Sequence, residues 1–214
     1  MIALIIGATG ATGKDLVQFL LNDNDFEKVI VFVRKPLNFQ HEKLISHIVN
    51  FDNPEDWKEF VKGDVAYSCL GTTLKDAGSK PAQRKVDFDY QYQFAKMAKQ
   101  NLVENYVLVS SYGANGQSNV FYSRIKGALE DAVKLLKFDK TTIFRPGMLD
   151  RTDSKRTAEV LGLKVLKLIN RVGLLKNQKP LPTSILAKAM IKASKDPSNG
   201  YKIIQLSEIF QKAE

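Results

Sequence analysis

The feature that most constrains this chain lies at its start. The apolar run Ile2–Ile6 stops at GATGATG, residues 7–13, and KDLVQFLLN follows at once. Leu16, Val17, Leu20 and Leu21 recur there at helical spacing, so the order is strand, glycine turn, helix. Glycine at the first position lets the chain leave the strand tightly. At the second it lets backbone approach a pyrophosphate, and at the third it lets the helix pack against the sheet. The positive helix end then faces the phosphates. Gly7, Thr9, Gly10, Ala11, Thr12 and Gly13 are therefore expected to bind a dinucleotide, although the first spacing is wider than in G-x-G-x-x-G. A purely structural turn is the alternative.

The rest of the chain supplies the frame such a loop needs. ALIIG, VIVFV, HIVNF, VAYSCL, YVLVSS, TTIFR and YKIIQL read as seven strands rich in β-branched residues, separated mostly by helical patterns. Continuous apolar strands buried on both faces predict an α/β fold with a doubly wound parallel sheet, a Rossmann fold. DNPEDW marks a helix start, with Asn53 as N-cap, Pro54 at the first helical position and two carboxylates in the first turn. A length of 214 residues, 44% hydrophobic and 26% charged, fits a single domain spanning 1–214. No apolar run approaches the roughly 18 residues of a membrane span, and no basic residue precedes the N-terminal run as in a signal peptide. The single Cys69 excludes an internal disulfide, and His41 and His47 lack zinc-site spacing, so no metal is expected. The default location is cytoplasmic.

Charge divides unevenly. Residues 1–150 hold 19 Lys and Arg against 18 Asp and Glu, whereas residues 151–214 hold 13 against 5. The basic part is expected to form a small C-terminal extension over the substrate side. Within it, Lys164, Lys167 and Arg171 alternate with Val165, Leu166, Leu168 and Ile169 at helical spacing. A solvated amphipathic helix explains that pattern, so nucleic acid is not an expected partner, although the cations leave that class as the weakest alternative.

Ligands in this architecture meet the C-terminal ends of the strands. The second strand ends in Arg34 and Lys35 rather than an acid, which favours the 2′-phosphate of NADP(H) over the ribose hydroxyls of NAD(H). Arg34 is the stronger candidate, because a guanidinium grips phosphate bidentately and stacks on adenine. Phe51 and Asp52 at the third strand end would border the adenine. At the fourth, Cys69, Leu70, Gly71 and Thr72 are cofactor-binding candidates, with Gly71 letting backbone pass close to the cofactor and a small buried packing residue the alternative for Cys69. Ser110 after the fifth is a further cofactor-binding candidate, and Pro146, Gly147 and Met148 after the sixth would wall the nicotinamide.

Two Tyr-x-x-x-Lys pairs occur, Tyr92 with Lys96 and Tyr122 with Lys126, and seven Tyr among 25 Lys give about one by chance. Order along the chain separates them. Only Tyr122 has a hydroxyl residue just upstream at a strand end, Ser111, with Ser110 the weaker choice and Tyr112 a candidate substrate contact. A phenol is a poor acid-base catalyst at neutral pH, but a neighbouring ammonium and an oxidised nicotinamide favour its anion. Lys126 would do this while bonding the nicotinamide ribose, and Ser111 would orient the substrate oxygen. Catalysis is thus assigned to Ser111, Tyr122 and Lys126. Capping or loop roles are the alternatives.

GATGATG, VFVRK, CLGTT, VSSYGAN, FYSRIKG and FRPGMLD, in that order over residues 1–150, resemble the atypical short-chain dehydrogenase/reductase superfamily. Within it they are similar to the Tat-interacting-protein oxidoreductase group and bacterial epimerase/dehydratase-like relatives. The resemblance implies a Rossmann fold, NADPH preference and a Ser, Tyr, Lys active site, here Ser111, Tyr122 and Lys126. It names no substrate or oligomeric state. Residues 151–214 are too few for the long C-terminal domain of sugar-nucleotide epimerases, so an oxidoreductase acting on a small carbonyl or alcohol is expected. The alternative from another class is a non-catalytic NADP(H)-binding regulator that reports redox state to a protein partner.

Overall fold

Why the first two strand sequences are almost wholly apolar is plain from the computed structural model, which describes residues 1–150 and 180–214. Seven strands form one sheet: β1 (Ile2–Ile6), β2 (Lys28–Val33), β3 (Leu44–Ile48), β4 (Val65–Ser68), β5 (Asn105–Val109), β6 (Lys140–Arg145) and, last in the chain, β9 (Gly200–Gln205). Their order is β3-β2-β1-β4-β5-β6-β9, and every pairing is parallel. Two short strands, β7 (Leu149–Asp150) and β8 (Leu181–Pro182), pair separately.

Helices cover both faces: α1 (Ala11–Leu21), α2 (Leu74–Ala77), α3 (Lys80–Arg84), α4 (Tyr90–Gln100), α5 (Phe121–Leu135), α6 (Thr183–Lys195) and α7 (Ser207–Ala213). Successive strand residues point to opposite faces. Ala3 and Ile5 of β1 pack with Leu16 and Leu20 of α1 and with Leu186 and Met190 of α6. Leu4 and Ile6 pack with Phe94 and Ala98 of α4 and with Leu129 and Val133 of α5. A strand sandwiched this way has no polar face to show. Between the two layers, the Tyr67 hydroxyl donates to Ser194 Oγ of α6 at 2.6 Å, which satisfies the one polar atom that β4 carries into that core.

The expected doubly wound sheet of seven strands is what forms. After β3 the chain returns to the other side of β1, so a crevice opens between the ends of β1 and β4, where strand order reverses.

Two local expectations are corrected. The third strand, read as 47–51, is Leu44–Ile48, because five residues pair with Val29–Val33 of β2. Phe51 then turns inward onto Trp57 and Tyr90. DNPEDW starts no α-helix: Pro54–Asp56 and Lys58–Phe60 are separate 3₁₀ turns, and Asn53 makes no side-chain cap. Trp57 divides them. It is 2% exposed, donates through Nε1 to Asn50 O at 3.1 Å and packs on Phe32, so its burial fixes an extended φ of −135° where a helix would have to continue.

Of the 151–214 segment expected over the substrate side, residues 180–214 build the seventh strand and the α6 layer. The amphipathic stretch with Lys164, Lys167 and Arg171 lies outside the described residues. Among the described residues no helix is long and apolar enough to cross a membrane.

Candidate functional site

The glycine loop is built by close backbone approaches. Gly7 has φ +81°, and a Cβ there would lie 2.5 Å from the Cys69 carbonyl carbon. Gly7 is thus required twice, by its left-handed backbone and by the passing β4 end. Gly10 donates its N–H to Gly7 O at 3.0 Å and is the N-cap of α1, with no side-chain cap and no acid in the first turn. The Ala11, Thr12 and Gly13 amides therefore have no intrahelical acceptor, the arrangement that receives a phosphate. A dinucleotide pyrophosphate fits this cradle. Thr9 and Gly10 are exposed, whereas the Thr12 side chain is buried, which leaves its backbone for a ligand.

Arg34 and Lys35 follow β2 and are both exposed; among the described residues neither makes an ion pair. Lys14, which the sequence reading did not select, is a third exposed cation nearby. It joins Thr9, Val17, Leu37, Phe39 and His41 in lining a cavity of about 590 Å³ between α1 and the β2–β3 connection. Asp52 is engaged by its own chain: its carboxylate takes the Lys85 ammonium and the Tyr90 hydroxyl, each at 2.7 Å. Those two bonds, Lys85 foremost, hold it below the usual carboxylate range.

At the β4 end, Cys69 N–H donates to Ile6 O at 3.0 Å, and burial pushes the thiol up to about 12, with Lys126 opposing. Such a thiol is a packing group rather than a nucleophile. Gly71 is exposed, and a Cβ on it would make only an ordinary 3.5 Å contact with Asp87. Thr72 is fixed at both backbone groups, its N–H to Asp87 Oδ2 at 3.2 Å and its carbonyl from Gln83 Nε2 at 3.3 Å.

Ser110 and Ser111 part company. Ser110 is 4% exposed, and its hydroxyl donates to the Glu130 carboxylate on α5. Glu130 also receives Arg145 of β6, with Nη2 to Oε2 at 2.6 Å and Nε to both oxygens. The Ser110 side chain is thus spent on an internal network and does not point a free hydroxyl at a cofactor. Ser111 is half-buried, and among the described residues its hydroxyl bonds only Tyr112 O, at 3.3 Å. Tyr112 N–H donates to Pro146 O at 2.8 Å, which ties the β5 end to Pro146, Gly147 and Met148 at the β6 end. Pro146 is buried, and Met148 is exposed.

Helix α5 carries Tyr122 and Lys126 on successive turns. Its inward stripe, Ile125, Leu129 and Val133, draws Lys126 and Glu130 toward the sheet with it. Gly127 lets the loop cross: a Cβ there would lie 2.2 Å from the Gly116 nitrogen. Tyr122 is 37% exposed, whereas Lys126 is 2% exposed. Lys126 Nζ donates to Val109 O at the end of β5 at 3.3 Å and lies 3.5 Å from Asp87 Oδ1. Asp87 is fully buried, in a π-helical turn, Lys85–Asp89, ahead of α4. Burial pushes its carboxyl up, opposed by the Lys126 ammonium and the Thr72 amide. The other Tyr-x-x-x-Lys pair is ordinary. Tyr92 stacks on Phe88 at 5.9 Å, and Lys96 is exposed.

A family model described as NAD(P)H-binding matches residues 7–171. The chain belongs to this NAD(P)H-binding family. Within the family, rat Protein HTATIP2 is 38% identical over 157 residues, covering 71% of this chain and 64% of that protein. The chain thus spans just under two thirds of the rat protein. Protein FMP52-1, mitochondrial, of Scheffersomyces stipitis is 30% identical over 99% of this chain and all of that protein. A solved short-chain dehydrogenase/reductase superfamily protein from Agrobacterium tumefaciens with bound NAD has a TM-score of 0.72 at 13% identity, covering 96% of this chain and 77% of that one. That likeness shows a shared fold, and the family match and the rat and yeast relatives agree with the resemblance that the motifs carry. The cytoplasmic location is corrected, since the yeast relatives are named mitochondrial and point to mitochondria instead. That expectation was a default drawn from missing signal-peptide, membrane-span and disulfide signals, and such absences carry no address.

Proposed function

We propose that this protein is an NADPH-dependent oxidoreductase that reduces a small carbonyl compound, or runs the reverse reaction, with Tyr122 as the proton donor or acceptor. One observation carries the reading. Lys126 is buried at the end of β5, one helical turn from a partly exposed tyrosine, while the chance pair at Tyr92 leaves its lysine in solvent. Lysine is almost never fully buried unless its charge is paired, and here Asp87 pairs it at the strand ends where a ligand would lie.

The dinucleotide supplies the hydride. The residues of this chain do the rest. Gly7 to Gly13 hold the pyrophosphate on the free amides of α1, and Arg34, with Lys35 beside it, takes the 2′-phosphate. Ser111, whose hydroxyl has only a carbonyl as partner among the described residues, orients the substrate oxygen. Tyr122 gives its phenolic proton to that oxygen as the carbonyl carbon is reduced, so hydride and proton together make the alcohol. Lys126 favours the phenolate left behind and bonds the nicotinamide ribose. Pro146, Gly147 and Met148 line the nicotinamide side.

The test is a carbonyl panel assayed with NADPH, using wild type, Tyr122→Phe and Tyr92→Phe. Tyr122→Phe is expected to lose about 100-fold or more in turnover, with Tyr92→Phe unchanged. Equal turnover in all three removes Tyr122 from the mechanism. Tight NADPH binding by a wild type that turns over no carbonyl supports the cofactor-sensing alternative.

A further inference from the structure

We infer that Asp87 is a positioning residue for this site: its carboxylate balances the buried Lys126 ammonium while tethering the Cys69–Thr73 loop through the Thr72 amide. The inference rests on the oxidoreductase reading for its purpose and on geometry for its substance. Asp87 and Lys126 are the two members of a buried ion pair, 0% and 2% exposed in their side chains, at 3.5 Å. Either charge alone in that interior costs far more than the pair. Each partner also reaches a different strand end. Lys126 donates to Val109 O at the end of β5, and Asp87 Oδ2 accepts from Thr72 after β4.

The local backbone explains how the carboxylate gets there. Lys85–Asp89 is a π-helical turn, which inserts an extra residue per turn and rotates the helical residues C-terminal to it. Asp87 and, four residues on, Gln91 both face inward and are fully buried. Gln91 is satisfied, accepting from Ser68 Oγ and donating to Val86 O. Asp87 Oδ1 has no hydrogen bond among the described residues. An oxygen left without its own donor beside an ammonium is held by charge. Gln83, packed against Asp87, binds the Thr72 carbonyl, so the loop is gripped at both backbone groups of one residue.

The consequence is a mechanical link between the residue proposed for catalysis and the loop proposed to border the cofactor. Lys126 has three donors, of which Val109 takes one and Asp87 orients another, which leaves the third for a ligand. Besides each other, the titratable groups near the pair are Cys69 at the β4 end and, one turn either way along α5, Tyr122 and Glu130. Glu130 is the one anion among these three, and its carboxylate is already held by Arg145 and Ser110.

Asp87→Asn keeps the shape and the Thr72 acceptor but removes the charge. Melting temperatures of the cofactor-free protein are compared from pH 7 to pH 10 for wild type, Asp87→Asn, Lys126→Met and the double variant. Burying an ammonium without a counter-charge favours its neutral form, so the unfolded chain would bind more protons and stability would rise with pH. Asp87→Asn is therefore expected to be least stable near pH 7 and to recover toward the double variant as pH rises. A deficit equal at every pH, or none, overturns the inference. In parallel, NADPH titration by fluorescence is expected to give a Kd about tenfold higher for Asp87→Asn, the scale of one ligand hydrogen bond weakened when Lys126 is no longer held in place. If wild type binds no NADPH, the oxidoreductase reading fails, and the melting series still decides whether Asp87 balances Lys126. If Asp87→Asn does not fold at pH 7 and the double variant does, the charge balance is upheld; if neither folds, Asp87 is a structural residue and the inference falls.

Discussion

Gly13 at the start of α1 lies directly over Gly7 at the end of β1: a Cβ on Gly13 would come within 2.1 Å of the Gly7 carbonyl oxygen and 2.9 Å of the Ala8 Cα. The third glycine of GATGATG is therefore a packing requirement of the strand-to-helix turn, separate from any ligand. Gly13→Ala must push α1 away from the sheet, and the obstacle is backbone, which has no rotamer to yield. A loss of about 2 kcal/mol or more in urea unfolding is expected, toward the upper range for overpacking. Gly10→Ala, whose Cβ would meet Gly7 O at 3.3 Å, is expected to cost less.

The Ser110, Glu130 and Arg145 network sets up a second expectation. Glu130 is 3% exposed in its side chain and receives three charged hydrogen bonds from Arg145 as well as the Ser110 hydroxyl. Arg145→Met leaves that carboxylate buried with a single neutral donor. The cost is expected to be about 3 kcal/mol by chemical denaturation, the range for breaking one side of a buried pair. Lys58→Met removes the exposed pair with Glu55 and is expected to shift stability by less than about 1 kcal/mol.

These relationships show where the sequence speaks and where it falls silent. β1, β2 and β5 are apolar on both faces, so their composition alone marks a sheet covered on two sides, and the loop after β1 is marked by its own glycines. Chain order separates Tyr122 from Tyr92 in the sequence, since a hydroxyl residue at the end of β5 precedes only the first, and the structure adds that Lys126 is buried while Lys96 is exposed. Asp87 has no such signature. VDFDY offers two aspartates two residues apart, and only the π turn decides that Asp87 points inward while Asp89 pairs with Arg84 in solvent. Glu130 and Arg145 likewise meet only because α5 packs across β6. Asp52 looked free for adenine because Lys85, its partner, is 33 residues away.

His47 on the edge strand β3 gives the stability a dependence on pH. Its ring stacks between Phe60 at 4.4 Å and Phe32 at 5.6 Å, and desolvation there lowers its pKa from the ordinary value. The unfolded chain therefore takes up a proton before the folded one does. His47 contributes fully above the unfolded value, about 6.5, and that contribution is lost as pH falls through the depressed folded value. Melting temperature is expected to drop between pH 7 and pH 5, and His47→Phe to flatten that drop. An identical slope in the variant assigns the acid sensitivity elsewhere.

Cofactor choice is the expectation that bears most directly on function. Arg34 leaves β2 immediately after the buried Val33, is exposed and makes no ion pair among the described residues, so its guanidinium is available to an external anion. If it takes the 2′-phosphate, Arg34→Asp replaces a charge-assisted contact by a like-charge clash. The contact alone is worth about 1.5–3 kcal/mol, so the Kd for NADPH is expected to rise at least tenfold. NADH lacks that phosphate, and a carboxylate at this position can accept the ribose hydroxyls instead, so its affinity is expected to hold or improve. Fluorescence titration of both cofactors against wild type and variant measures the ratio. Lys35 and Lys14 are the neighbouring cations, and a preference for NADPH that survives Arg34→Asp but is lost in Lys14→Asp would move the phosphate contact onto α1.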